Sequence, residues 1–205
     1  MLTWSGPEDA SHVVLFAPGD SGCTTDRGPS LIAAGLAAQG LRVAQWDFGC
    51  DSDDAEERDA VMAADVRAAV RHAGDAHVVL GGMSRGARVS AALVEELGAV
   101  ALLAFAYPFH SRLDPRPHGR ERELAAVSVP VLLCQGTRDA HGNQQQIIGY
   151  RLPPHIHVHW LVDANHPLRP RPSSGHTQEV QLAEATRWAA GLLLGRGGEL
   201  GSEVG

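Results

Sequence analysis

Gly82-Met83-Ser84-Arg85-Gly86 sets a serine between two glycines in the spacing G-x-S-x-G. That spacing suits nucleophilic catalysis. A sharp strand-to-helix turn lifts the serine Oγ clear of a sheet, and a side chain at either glycine would collide with the neighbouring strand or helix. The helix that follows points its first N–H groups at the site and favours negative charge developing there. A plain Gly-rich turn capped by a serine has the same spelling, so context decides. An apolar run, Val78-Val79-Leu80, enters the motif, and an amphipathic segment leaves it.

A serine nucleophile of this kind needs an acid and then a histidine, in that chain order, each just past a later strand. The run VLLCQ leads into Gly136-Thr137-Arg138-Asp139, and the run HVHWLV leads into Asp163-Ala164-Asn165-His166. The expected division of labour follows. His166 takes the Ser84 proton and returns it to the leaving group, while Asp139 holds the imidazole tautomer and stabilises the imidazolium. Among eleven histidines there are rivals. His155, His157 and His159 alternate on one strand and share a face. Such a row reads as a solvated strand face, because no carboxylate or cysteine spacing beside it completes a metal site. His141 lies too close to Asp139 in sequence to be its obvious partner. His110 and His176 are candidates to line the site, and Asp163 is the alternative acid or a loop cap.

Two backbone N–H groups must receive the oxyanion. One is expected from Arg85, after the serine, and the other from Asp20, in the loop Pro18-Gly19-Asp20-Ser21-Gly22-Cys23 after the first core strand. A carboxylate aimed at the oxyanion would oppose its charge by about a few kcal/mol in a dry site. Asp20 must therefore turn away, pair, or mark an impaired or specialised site, and Arg85 is a candidate partner. Arg85, Arg112, Arg116 and Arg169 either favour an anionic substrate or are solvated surface. His110 and Arg112 belong to the Pro- and Arg-rich segment 110–120, the one loop large enough to shape a pocket, and are the candidate substrate-binding residues.

The elements that must position these groups alternate. Apolar runs at 12–17, 41–48, 76–80, 100–107, 129–135 and 155–162 read as strands. Amphipathic segments at 29–39, 56–72, 85–97, 143–150 and 177–194 read as helices. Short, continuously apolar strands separated by helices imply a mostly parallel sheet covered on both faces. Residues 1–195 read as one domain, and 196–205 (RGGELGSEVG) as a disordered tail.

A chain of 205 residues with 44% apolar residues suits one substantial core. A formal charge of −7 argues against a nucleic-acid partner; that all 17 basic residues are arginine carries no function. Cys23, Cys50 and Cys134 show no metal spacing and no disulfide framework. No run approaches the length of a membrane span, and residues 1–10 lack the pattern of a signal peptide, so a cytoplasmic setting is expected.

From residue 81 to about residue 194 the chain resembles the α/β-hydrolase-like family that includes a testis-expressed protein and a subunit of the NSL histone-acetyltransferase complex, a family related to dienelactone hydrolases. Four motifs carry the resemblance in order: GGMSRGAR (81–88), Tyr107-Pro108-Phe109-His110, QGTRD (135–139), and a last strand leading to His166. The family's H-G-A-G loop is Pro18-Gly19-Asp20-Ser21 here, and its Gly-Asp-His is Ala164-Asn165-His166. The resemblance implies the fold and the triad Ser84, Asp139 and His166.

The expected architecture is a three-layer α/β-hydrolase fold, minimal and lidless, whose first core strand begins near residue 12. The expected reaction is cleavage of a small-molecule ester, lactone or thioester through an acyl-enzyme on Ser84, with no cofactor and no metal. Acyl transfer at the same site, or a catalytically weak binding or scaffold role favoured by Asp20, are the alternatives. Oligomeric state is not legible.

Overall fold

The computed structural model describes residues 2–19, 27–47, 49, 50, 52–112, 114 and 119–196. Asp20, Cys23 and Arg116, and all of the expected tail but Arg196, lie outside them.

The apolar runs form one seven-stranded sheet. Its strands are β1 (Leu2–Ser5), β2 (His12–Ala17), β3 (Arg42–Trp46), β4 (His77–Met83), β5 (Ala101–Phe105), β6 (Val131–Gly136) and β7 (Ile156–Leu161). Their order across the sheet is β1-β3-β2-β4-β5-β6-β7. All neighbours are parallel except β1, which pairs antiparallel with β3 through Leu2 opposite Trp46 and Ser5 opposite Val43. The sheet therefore starts one strand earlier than the sequence suggests, although the buried core begins with β2. β1 is four residues at an edge, too short to show a periodicity.

The helices are α1 (Gly28–Ala38), α2 (Ala55–Val70), α3 (Arg85–Leu93), α4 (Arg120–Ala125), α5 (Gln144–Gly149) and α6 (Gln178–Leu193). Their starts follow from local chemistry. Pro29 occupies the first turn of α1. The Asp54 carboxylate accepts from the N–H groups of Glu56 (2.8 Å) and Glu57 (3.0 Å) at the start of α2. Asn143 and Gln146 form a reciprocal capping box on α5.

Both faces of the sheet are buried, which is why the strands read as unbroken apolar runs. Along β2, Val13, Leu15 and Ala17 join a core with Met62 and Val66 of α2 and Val89 and Leu93 of α3. The alternate residues Val14 and Phe16 join a second core with Ile32 and Leu36 of α1 and Leu182, Ala185 and Ala189 of α6. One layer of helices thus covers each face. A parallel sheet built this way collects its functional groups in the loops beyond the carboxyl ends of its strands, where β4, β6 and β7 deliver Ser84, Asp139 and His166. No helix among the described residues is long and apolar enough to cross a membrane.

Candidate active site

β4 extends through Gly81 and Gly82 to Met83, and α3 begins at Arg85. Ser84 alone makes the turn, at φ 54° and ψ −118°. A non-glycine residue held at positive φ is strained by about 1–3 kcal/mol. The strain is held by surrounding packing: the Ser84 N–H donates to the Phe105 carbonyl of β5 at 2.9 Å. The flanking glycines are sterically required. A Cβ on Gly86 would lie 2.3 Å from the Pro18 carbonyl oxygen, and one on Gly82 would lie 2.5 Å from the Gly86 carbonyl carbon.

The turn aims Ser84 Oγ at His166 Nε2, 2.8 Å away. His166 Nδ1 lies 3.0 Å from Oδ1 and 2.9 Å from Oδ2 of Asp139. A carboxylate only accepts, so Nδ1 carries the imidazole proton and Nε2 is left to accept from the serine hydroxyl. These three residues come from three separate segments, and they meet in the order a serine nucleophile needs.

Asp139 is fully buried. Its charge is balanced by donors: the His141 N–H at 2.7 Å, Gln135 Nε2 at 2.9 Å, and the His166 ring. The same Gln135 amide nitrogen lies 3.3 Å from the Tyr107 carbonyl and 3.1 Å from the Gly142 carbonyl. It ties the acid's turn to the Tyr107-Pro108-Phe109-His110 segment. Phe109 fills the space beneath, with ring centroids 5.0 Å from Tyr107 and 5.4 Å from Tyr150.

His141 follows Asp139 closely, and only its main-chain N–H, not its ring, meets that carboxylate. Its ring packs 4.2 Å from the His166 ring. Its Nδ1 donates to the His110 carbonyl at 3.0 Å, and the His110 N–H donates to the His141 carbonyl at 3.2 Å. Burial, then the neighbouring His166, push the His141 pKa below its ordinary value. The His141 ring is thus a wall beside His166 whose charged form is disfavoured.

The remaining sequence candidates fall elsewhere. His110 is buried, with its ring turned to the Ser111 carbonyl (3.0 Å) and Gln146 Oε1 (3.3 Å), so it supports the site from behind. Arg112, Arg169 and His176 are exposed. Asp163 does not reach His166. It pairs with Arg138 (2.8 Å) and Arg171, and hydrogen bonds from Arg171 hold its carboxyl well below the usual carboxylate range. Its role is to fix the loop after β7. His159 lies against Trp188 of α6, ring centroids 5.1 Å apart, so part of the histidine row is covered by a helix rather than solvated. Among the described residues no group of three His, Cys, Asp or Glu side chains is placed to hold a metal ion.

Of the two expected oxyanion donors, Arg85 occupies the first position of α3, where a helix leaves its N–H groups without intrahelical acceptors. Asp20 lies outside the described residues. Gly19, immediately before it, sits against Ser84: a Cβ there would be 3.7 Å from Ser84 Cβ. A cavity of about 190 Å³ opens beside Ser84. Arg85, Arg88, Arg120, Ser111 and His141 give it a polar wall, with Pro108 at its edge. Arg88 and Arg120 were not singled out by the sequence, although Arg88 closes the GGMSRGAR motif.

A family model described as an alpha/beta hydrolase domain matches residues 10–193. Among curated proteins none matches the chain. Solved structures share its fold at low identity. An alpha-beta serine hydrolase homologue from Coxiella burnetii superposes with a TM-score of 0.69 at 16% identity, covering 94% of this chain and 90% of that one. A lidless serine hydrolase from Xanthomonas campestris gives 0.70 at 18%, covering 94% and 88%. The esterase domain of a Rhodothermus marinus protein gives 0.66 at 18%, covering 92% and 89%.

Proposed function

The chain belongs to the alpha/beta hydrolase domain family, and from that premise we propose that it is a serine hydrolase cleaving a small ester, lactone or thioester through an acyl-enzyme on Ser84. One observation carries the proposal: the unbroken hydrogen-bonded line from buried Asp139 through His166 to the strained Ser84, with contacts of 2.9 Å and 2.8 Å.

The chemistry proceeds in two halves. His166 Nε2 accepts the Ser84 hydroxyl proton as Oγ bonds to the substrate carbonyl carbon. Asp139 stabilises the imidazolium without itself taking the proton. The oxyanion forms at the amino end of α3, where the Arg85 N–H and a donor from the loop after β2 would receive it. When the tetrahedral intermediate collapses, the bond to the leaving group breaks and the Nε2 proton passes to it. Water then repeats the sequence on the acyl-enzyme, releasing the acid and restoring Ser84. Every step uses protein groups and water. The lidless relative and the open cavity favour small substrates.

Labelling with a fluorophosphonate probe tests the reading. Wild type is expected to label, and Ser84→Ala and His166→Ala are expected not to. Loss of the nucleophile should lower kcat by roughly a millionfold. A folded wild type that neither labels nor cleaves p-nitrophenyl acetate would overturn the proposal and leave a binding role.

A further inference from the structure

We propose that the cavity beside Ser84 is an anion-recognition subsite centred on Arg120, so that the substrate is an ester bearing a carboxylate a short distance from its scissile carbonyl. The identification of the scissile group rests on the serine hydrolase reading; the anion site rests on the cavity itself.

The argument is one of charge balance at three guanidinium groups. Arg85 and Arg88 project from the first turn of α3 toward α2, where Asp59 meets both: Arg85 bonds one carboxylate oxygen and Arg88 the other. Burial alone would raise the Asp59 pKa, but the hydrogen bonds and charges of Arg88 and Arg85 outweigh it and hold the carboxyl below its ordinary value. That carboxylate is committed.

Arg120 begins α4 and lines the same cavity. It is partly buried, and its NH1 donates to the Pro108 carbonyl at 2.9 Å, which fixes the guanidinium in the wall. No acidic side chain among the described residues forms an ion pair with it. A carbonyl orients a cation without neutralising it, and a partly desolvated charge that no carboxylate meets directly is costly. Burial first, then the like charge of Arg88, pull the Arg120 pKa down, and the opposing influence of Tyr107 and Glu123 does not offset them. Burial disfavours the charged form of His141, the other titratable wall.

One guanidinium therefore awaits one negative charge in the cavity that holds the nucleophile. The planar fork of arginine suits a carboxylate, which it grips with two parallel hydrogen bonds. A phosphate dianion would need a second uncommitted cation, and Arg85 and Arg88 already hold Asp59. The cavity of about 190 Å³ limits the group to a short acid. A monoester of a short dicarboxylic acid fits all three constraints.

Calorimetric titration of Ser84→Ala protein with monomethyl glutarate and with dimethyl glutarate tests this. The monoanion is expected to bind at least about tenfold more tightly than the neutral diester, and Arg120→Gln in the same background to lose most of that difference. Where Arg120→Gln does not fold, Arg120→Lys serves; it keeps the charge but not the fork and should fall between. Equal binding of the two ligands, absence of monoanion binding, or an Arg120 variant that binds as well as its parent would overturn the proposal. Turnover separates the two readings. Ser84-dependent cleavage of p-nitrophenyl butyrate without monoanion binding removes the subsite and leaves the hydrolase. Monoanion binding without any Ser84-dependent cleavage does the reverse.

Discussion

His141 and His166 stand ring against ring, 4.2 Å between centroids, while both donate to the carboxylate of Asp139, one from its main chain and one from its imidazole. The Asp139 carboxylate is thus shared between His166 and the residue whose ring packs against His166. Truncation to His141→Ala leaves the main-chain N–H but removes the ring. The His166 imidazole gains freedom, and kcat is expected to fall by about tenfold with KM little changed. His141→Phe keeps an aromatic wall and should recover most of the loss. An Ala variant with wild-type kcat would remove His141 from the positioning of the base.

Gln135 is the second support of the acid. It is completely buried, and its amide faces Asp139, the Tyr107 carbonyl and the Gly142 carbonyl. Gln135→Leu has a similar size but no donor, so three acceptors lose a partner away from water. Each unsatisfied buried group costs about 1–3 kcal/mol. The variant is expected to lose at least about 2 kcal/mol in denaturant unfolding, and kcat should drop with it as Asp139 loosens. Unchanged stability would mean that another donor replaces the amide.

The two glycine positions nearest the nucleophile predict opposite behaviour. A methyl on Gly86 meets the Pro18 and Ala17 carbonyl oxygens at 2.3 Å and 2.4 Å, and both are main-chain atoms that cannot swing aside. Gly86→Ala should cost about 3 kcal/mol or more, or prevent folding. A methyl on Gly19 meets Met83 O at 3.5 Å and Ser84 Cβ at 3.7 Å, which is ordinary contact. Gly19→Ala should melt within a few degrees of wild type, so any change in its activity reports on the space beside Ser84. Equal stability of the two alanine variants would contradict this picture of the turn.

The turn at Ser84 and the loops that carry Asp139 and His166 were readable because each closely follows an apolar strand, and a strand buried on both faces announces itself. What the sequence concealed has a common physical origin. β1 and α4 are short, and their residues pack on one side only: among the six residues of α4, Leu124 alone is buried. Their placement comes from the sheet edge and the cavity, not from local periodicity. His141 and Gln135 act through a turn that folds back on itself, so a residue two positions from the acid touches the base instead. Arg120 joins the cavity because α4 packs against α3. The row His155, His157 and His159 was legible as one face of a strand, but which helix covers that face is a property of the third dimension.

That covering helix gives stability a dependence on pH. His159, packed against Trp188, has its pKa lowered from the ordinary 6.5 by burial. His12 is lowered too, by burial and by the nearby charge of His77. In the window between the lowered folded value and 6.5, the unfolded chain binds more protons than the folded one. Stability therefore rises with pH through that window, and it is lost as pH falls from about 7 toward the folded values. The melting temperature is expected to be lower at ~pH 5.5 than at ~pH 7.5, a range in which ordinary carboxylates stay ionised. His159→Phe keeps a ring against Trp188 and removes one titrating group, so the difference between the two pH values should shrink. If the variant keeps the full wild-type difference, the effect belongs to His12 and His141, and the double variant His12→Asn, His159→Phe isolates the share of His141.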